Sequence, residues 1–308
     1  MSDTTAKKPS WIKRFFKYFL PWKGDRPGEV IRKIVLLVAL IVFIGSAIYI
    51  ADYYWTRHKS DVLYDQVATL YDRDKDTTAN ADPEEEPVNL PPGYNAKFAD
   101  LYQINPDIKG YIEIQGTNLS FPVVQGKDND EYLYHNIYKK YDIYGVPFLD
   151  YRCTLEQDKT SNNLLIYGHH MNGKRVFGQI TNYKDLSFYQ QHPIVNFDSV
   201  YEEADWKIIS VFLADPEDQS FQYQNFLDMD EQTFNSYVQQ VRDRSYFDAD
   251  VDVQYGDQLL TLSTCSYEFT DARTVLVARK VREGETSDVN VKNAAVNSDA
   301  VYPAKYKG

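Results

Sequence analysis

Two cysteines, Cys153 and Cys265, are all that this chain of 308 residues contains. That scarcity excludes a small secreted scaffold stapled by disulfides. Positive charge is short as well: 33 Lys and Arg stand against 45 Asp and Glu, a formal net charge of -12, the wrong sign for a general nucleic-acid partner. Metal-site spacing is missing, with neither HExxH nor paired cysteines present, so no metal and no cofactor is expected. No repeat period is visible, and a single long uncharged apolar run leaves no candidate for a second membrane span. What is there, 43% hydrophobic and 25% charged, is ordinary globular composition. The length admits one large domain with appendages or two small ones.

The charges are unevenly distributed. Within residues 1–33, Lys7, Lys8, Lys13, Arg14, Lys17, Lys23, Arg26, Arg32 and Lys33 face only Asp3, Asp25 and Glu29. Residues 34–51 then carry no charge. As a helix, at about 1.5 Å per residue, that run reaches roughly 27 Å, close to the ~30 Å hydrocarbon core of a bilayer. Tyr53, Tyr54 and Trp55 follow as interfacial rings. A cleaved signal peptide would have a shorter core with small residues after it, whereas Gly45-Ser46-Ala47 lies mid-span. A buried core helix does not explain the one-sided basic flank. The pattern predicts a basic cytoplasmic segment over 1–33 and an uncleaved single-pass anchor over 34–55, with everything beyond Trp55 extracytoplasmic. Trp11, Ile12, Phe15, Phe16 and Phe19 alternate with Lys13, Arg14 and Lys17, which suits either a short helix on anionic lipid or a disordered basic tail.

Beyond the anchor, Val62, Leu63, Val67, Leu70 and Tyr71 recur at helical spacing, and an acidic, Pro-rich stretch follows. Residues 56–93 therefore read as a juxtamembrane helix and linker. From 94 to 282 short strands dominate. Candidates are 111–114 and 121–124 around a turn at Gly116-Thr117-Asn118, then 146–149, 163–167, 194–197, 206–212, 258–264 and 274–278. Pro122 argues for an edge or a strand start there. Helices are expected at 96–101 and 230–244, the second with Phe234, Tyr237, Val238 and Val241 on one stripe and Asp230 as N-cap. So many short strands predict a mainly β, closed or nearly closed barrel with a few peripheral helices. Residues 283–308 read as a flexible polar tail.

Chemistry concentrates in three places. Leu259-Leu260-Thr261-Leu262-Ser263-Thr264 delivers Cys265 to the end of a strand, and Arg273 is the first cation after it. Were these antiparallel neighbours, the guanidinium could stabilise a thiolate or an oxyanion; the plainer possibility is a surface arginine paired with Asp271. His169 leaves the strand 163–167 through Gly168, which permits a tight exit. Two adjacent histidines suggest metal, but successive residues of an extended segment point to opposite sides, and no further ligands are spaced for it. Cys153 reads as a buried core residue. A Cys153–Cys265 disulfide would silence the proposed nucleophile.

The order His, Cys, Arg carries a resemblance to class B sortases. Thr261-Leu262-Ser263-Thr264-Cys265 matches their TLxTC signature, with Arg273 and Gly168-His169 in the matching positions. Asn105-Pro106-Asp107-Ile108-Lys109-Gly110-Tyr111-Ile112, Phe121-Pro122-Val123-Val124-Gln125, Asp128-Asn129 with Tyr132-Leu133, Phe148-Leu149-Asp150-Tyr151-Arg152 and Phe177 continue it in family order. Similarity spans residues 96–280, and a helix before the last strands is a class B feature. Val146-Pro147 departs from the pattern and casts doubt on local strand geometry.

The resemblance implies a sortase-like closed β-barrel with one N-terminal transmembrane helix. It implies Cys265 as nucleophile, His169 as proton donor and acceptor, and Arg273 as oxyanion and substrate stabiliser. Tyr167, Ser263 and Asn129 match substrate-lining positions, in a groove built mainly by the segment between Phe212 and Asp250. The expected activity is a cysteine transpeptidase of Gram-positive cell-wall anchoring. It would cleave the sorting-signal pentapeptide of secreted proteins after Thr and transfer the acyl group to a peptidoglycan cross-bridge amine. Alternatives are a pilin lysine as acceptor, or a non-catalytic extracytoplasmic binding barrel.

Overall fold

The computed structural model describes residues 11–74, 88–171 and 173–307, and the chain divides into two units, Met1–Asp61 and Val62–Gly308. In the first unit, α1 (Trp11–Phe19) precedes α2 (Pro27–Ala68), which runs on into the second. Pro27 suits the first helical position, where its missing N–H costs nothing. Lys33 joins the two helices: its ammonium donates to the Lys17 carbonyl at 2.8 Å and to Asp25 at 2.7 Å. The apolar middle of α2 is exposed, and the helix is long and apolar enough to cross a membrane.

Two boundaries differ from expectation. The anchor is part of a 42-residue helix beginning at Pro27, because Pro27 and Gly28 fall in its first turn, where they are tolerated, and residues 29–33 run into the apolar stretch with no breaker between. No separate juxtamembrane helix exists among the described residues: the turns after Val62 extend α2, with Tyr64 and Val67 in the hydrophobic core of the second unit. Most of the acidic linker, residues 75–87, lies outside the described residues, as do 1–10.

The second unit begins with a 3-10 turn, Ala96–Phe98, then α3 (Ala99–Ile104), where a single helix over 96–101 was expected. Strands follow as β1 (Ile108–Glu113), β2 (Ser120–Val124), β3 (Phe148–Leu149) and β4 (Asn163–Tyr167). A small hairpin, β5 (His170–Met171) and β6 (Arg175–Val176), leads into a 3-10 segment, Phe177–Lys184, and α4 (Leu186–Gln191). Then come β7 (Ile194–Ser199), β8 (Asp205–Ala214), α5 (Glu231–Arg244), β9 (Phe247–Asp248), β10 (Leu259–Cys265), β11 (Arg273–Lys280) and β12 (Ala295–Val296). Eight of these close a barrel in the order β1-β2-β3-β4-β10-β11-β8-β7.

The sequence patterns account for these elements. Pro122 sits opposite Tyr111 of β1, while β3 reaches β2 only at Val124, so the missing N–H falls where β2 has no second partner. At the departing Val146-Pro147, the Pro147 carbonyl accepts from Val124 N at 3.1 Å, and the strand shortens to two residues. Asp230 caps α5 by accepting from Thr233 N at 2.8 Å. Beneath α5, the Tyr237 hydroxyl lies 3.1 Å from Thr261 Oγ1. β10 is therefore covered on both faces, by barrel interior and by helix, which is why its run is nearly continuously apolar or β-branched.

Residues 283–307 are not a loose tail. Arg279 is fully buried, and the Glu285 carboxylate reaches it at 2.5 and 2.8 Å and Lys207 at 2.6 Å. β12 pairs with β9, and Lys305 bridges to Asp215 at 3.0 Å and Glu217 at 2.7 Å. A buried guanidinium needs a counter-ion, and this polar segment supplies it through ion pairs that hydropathy does not register.

Candidate active site

Register brings the chemistry to one end of the barrel. β4 and β10 run parallel, with Tyr167 opposite Ser263, so their C-terminal ends emerge together. β11 runs antiparallel to β10 and starts there, with Arg273 opposite Cys265. A cavity of about 220 Å³ at this end is lined by Asn129, Leu133, Phe148, Tyr167, Gly168, His169, Ser263, Thr264, Cys265 and Arg273. All six residues singled out from the sequence are among these ten.

Gly168 prolongs the strand by one bond, its N–H donating to Ser263 O at 3.1 Å. A Cβ there would come within 2.6 Å of the Phe177 ring, so only glycine allows this close exit. His169 follows. Its Nε2 lies 2.7 Å from the Leu133 carbonyl and its ring 5.4 Å from that of Tyr134. A carbonyl can only accept, so Nε2 carries the proton and Nδ1 is the bare nitrogen of the neutral imidazole. Burial pushes the His169 pKa below the ordinary imidazole value; the Leu133 bond opposes this, and the Arg273 charge adds to it. His170 has other partners. Its Nδ1–H donates to the Cys265 carbonyl at 3.0 Å, and its own carbonyl accepts from the Tyr267 hydroxyl at 3.1 Å.

Cys265 is a free thiol, half-buried at the end of β10. Arg273 is half-buried; its guanidinium donates to the backbone carbonyls of Asp271 and Ala272 at 2.9 and 3.1 Å. The plain pairing with the Asp271 carboxylate is thus not what holds it, and its charge faces the cavity. Cys153 is also free, buried and bonded within the core to Leu165 N at 3.5 Å; burial pushes its thiol up to about 12.

Two of the other three residues, Asn129 and Tyr167, share a support that the sequence does not mark. The Asp150 carboxylate, buried completely, accepts from Asn129 Nδ2 at 3.0 Å, from the Tyr167 hydroxyl at 3.2 Å, and from Arg152 at 2.8 and 2.9 Å. Arg152 holds that carboxyl below the usual carboxylate range despite burial. Ser263 Oγ lies 2.7 Å from the hydroxyl of the buried Tyr223. The segment between Phe212 and Asp250, expected to build most of the groove, contributes none of the ten lining residues and acts here through Tyr223. Thr264 Oγ1, on the cavity wall, is buried without a hydrogen-bond partner among the described residues. Leu133 and Phe148 also line the wall; both lie in segments that carry the family resemblance, but nothing in their spacing marks them.

The family model of the sortase domain matches residues 112–281. Sortase B of Listeria monocytogenes is 31% identical over 238 residues, which are 77% of this chain and 90% of that protein. The chain belongs to the sortase family. Its class is B: the Staphylococcus aureus sortase B-substrate complex superposes with a TM-score of 0.61 at 27% identity, covering 73% of this chain and 98% of that one. A crystal structure of sortase B complexed with triglycine gives 0.60 at 26% identity, covering 73% and 99%. This sortase is accordingly a cysteine transpeptidase of cell-wall anchoring, built on the closed barrel that its sequence predicted.

Proposed function

We propose that Cys265 is the nucleophile, His169 the acid and base, and Arg273 the oxyanion stabiliser of a membrane-anchored transpeptidase that cleaves a C-terminal sorting signal after Thr. The observation that carries this reading is the meeting of all three residues around one cavity at the shared end of β4, β10 and β11. The bare Nδ1 of His169 takes the Cys265 thiol proton as the sulfur adds to the Thr carbonyl, and the developing oxyanion is stabilised by the Arg273 guanidinium. Collapse breaks the C–N bond while His169 gives its proton to the departing amine, leaving a thioester. An incoming amine attacks that thioester, loses a proton to His169 and expels the thiolate, which takes that proton back and restores the neutral imidazole. Water takes the amine's part when none is present.

Asn129, Tyr167 and Ser263 would line the pentapeptide, of NPxTx-like or xPxTG-like type. Two of the three are pre-set by Asp150, so little ordering remains on binding. Two of the solved sortase B structures name a substrate and triglycine as bound ligands, which supports a signal peptide and a peptidoglycan cross-bridge amine as partners here. The basic flank and the apolar stretch of α2 support a cytoplasmic N-terminus and an extracytoplasmic barrel.

The test is to incubate the detergent-solubilised full chain with a panel of such peptides, with and without triglycine, and to weigh the products. Ligated product with triglycine, and hydrolysed product without it, is expected. A Cys265→Ala chain that still ligates would refute the assignment.

A further inference from the structure

The helix that leaves the apolar stretch ends inside the catalytic unit, and one of its last residues reaches toward the site. Tyr64 is only 5% exposed and its ring packs 5.1 Å from that of Phe121. A buried phenol needs a hydrogen-bond partner, and the Tyr64 hydroxyl donates to the Gly145 carbonyl. Gly145 has φ +56, and a Cβ on it would meet Leu133 O at 2.5 Å and Tyr132 O at 2.6 Å. Its backbone therefore rests directly on those two carbonyls. The same stretch is fastened by Val146 N to Tyr132 O at 3.3 Å and Asp142 N to Tyr134 O at 3.0 Å. Leu133 O is the acceptor of His169 Nε2–H, and the Tyr134 ring lies against the imidazole.

We propose that Tyr64 is a positioning residue for His169, acting through Gly145 and the Leu133 carbonyl, so that the membrane-proximal turns of α2 are part of what sets the catalytic tautomer. This rests on His169 being the acid and base. Each link is one hydrogen bond or one layer of packed atoms. The last link decides which ring nitrogen is bare: the Leu133 acceptor is what holds the proton on Nε2. The charged and titratable groups around His169 are Arg273 of β11, Cys265 of β10, Tyr134 of the loop and Tyr167 of β4; Asp142 lies on the Tyr64 side. Of these contacts, the Leu133 bond favours the imidazolium, and burial and Arg273 oppose it.

The experiment compares Tyr64→Phe with Tyr71→Phe in the full chain in detergent micelles. Tyr71 also loses one buried hydroxyl bond, to Asp198 at 2.7 Å, but on β7, away from the Leu133 loop. Tyr64→Phe should lower kcat about five- to tenfold, the worth of one ordinary hydrogen bond, with KM within about twofold. Its acid limb, set by His169, should move to lower pH, because the contact that favours the cation is weakened. Tyr71→Phe should leave both unchanged. Wild-type kcat and an unmoved limb in Tyr64→Phe would overturn the proposal, as would equal losses in both variants that follow thermal stability alone. Activity surviving in Cys265→Ala or His169→Ala would instead overturn the reading beneath it.

Discussion

Replacing Asp150 by Asn probes whether a buried carboxylate organises the groove. The two residues have the same shape, but the carboxylate offers two acceptor oxygens and a charge, and the amide offers one acceptor and a donor pair. At present one oxygen takes Arg152 Nε and Arg152 N, both at 2.9 Å; the other takes Arg152 Nη2, Asn129 Nδ2 and the Tyr167 hydroxyl at 2.8, 3.0 and 3.2 Å. The amide must turn its NH2 against one of these donor sets. Each buried donor left without an acceptor costs about 1–3 kcal/mol. Arg152 is about a third exposed, so water recovers much of its share, and the total falls to about 2–4 kcal/mol. For a unit of this size that corresponds to a Tm lower by about 5–15 °C. With Asn129 and Tyr167 released, kcat/KM for the peptide should fall about 10- to 100-fold. Thermal unfolding followed by circular dichroism, with peptide-cleavage kinetics below the transition, checks both. A variant with Tm within about 2 °C of the parent and unchanged kcat/KM would refute the idea that Asp150 pre-sets the groove.

Three further outcomes are expected. A methanethiosulfonate reagent at neutral pH should modify Cys265 and spare Cys153, whose buried thiol sits at about 12; mass spectrometry showing two modified cysteines in the folded protein would contradict this. Gly168→Ala should fold less stably by about 1–3 kcal/mol and ligate slowly, since its Cβ drives into Phe177 and displaces the His169 exit; parental Tm and rate would count against the tight-exit argument. Glu285 is held well below the carboxylate range, first by Arg279 and then by Lys207. Its stabilisation is therefore present above its unfolded pKa near ~4.3 and is lost as pH falls through the folded value. Glu285→Gln should flatten the decline of Tm below about pH 5, and an unchanged slope would show that the C-terminal segment is held by something else.

Much of this was legible in the sequence where the signal is local. The apolar run into Cys265, the Gly168 exit before His169 and the Asp230 cap each depend on neighbours within a few residues. The triad's meeting point could be read only through the family resemblance, because the parallel pairing of β4 with β10 joins residues some hundred positions apart, as Asn163 opposite Leu259 illustrates. Asp150 was invisible as a hub because two of its donors, Asn129 and Tyr167, come from segments 21 and 17 positions away, and only Arg152 is local. The docking of residues 283–307 was missed for a different reason. Its adhesion is electrostatic and bridged by two-residue strands, so a polar composition resembled a solvated tail until the buried Arg279 supplied the need for Glu285. The plainer alternative for Arg273, an ion pair with Asp271, does not form: the guanidinium fastens to backbone carbonyls and keeps its charge for the cavity.

The most direct test of the central claim is intact-protein mass spectrometry of the full chain, quenched in acid shortly after mixing with a sorting-signal peptide and no amine. The account predicts a covalent adduct equal in mass to the peptide up to its Thr, located on Cys265 by digestion, and discharged when triglycine is added. Peptide cleaved with no adduct on Cys265, or an adduct formed equally in Cys265→Ala, would contradict it.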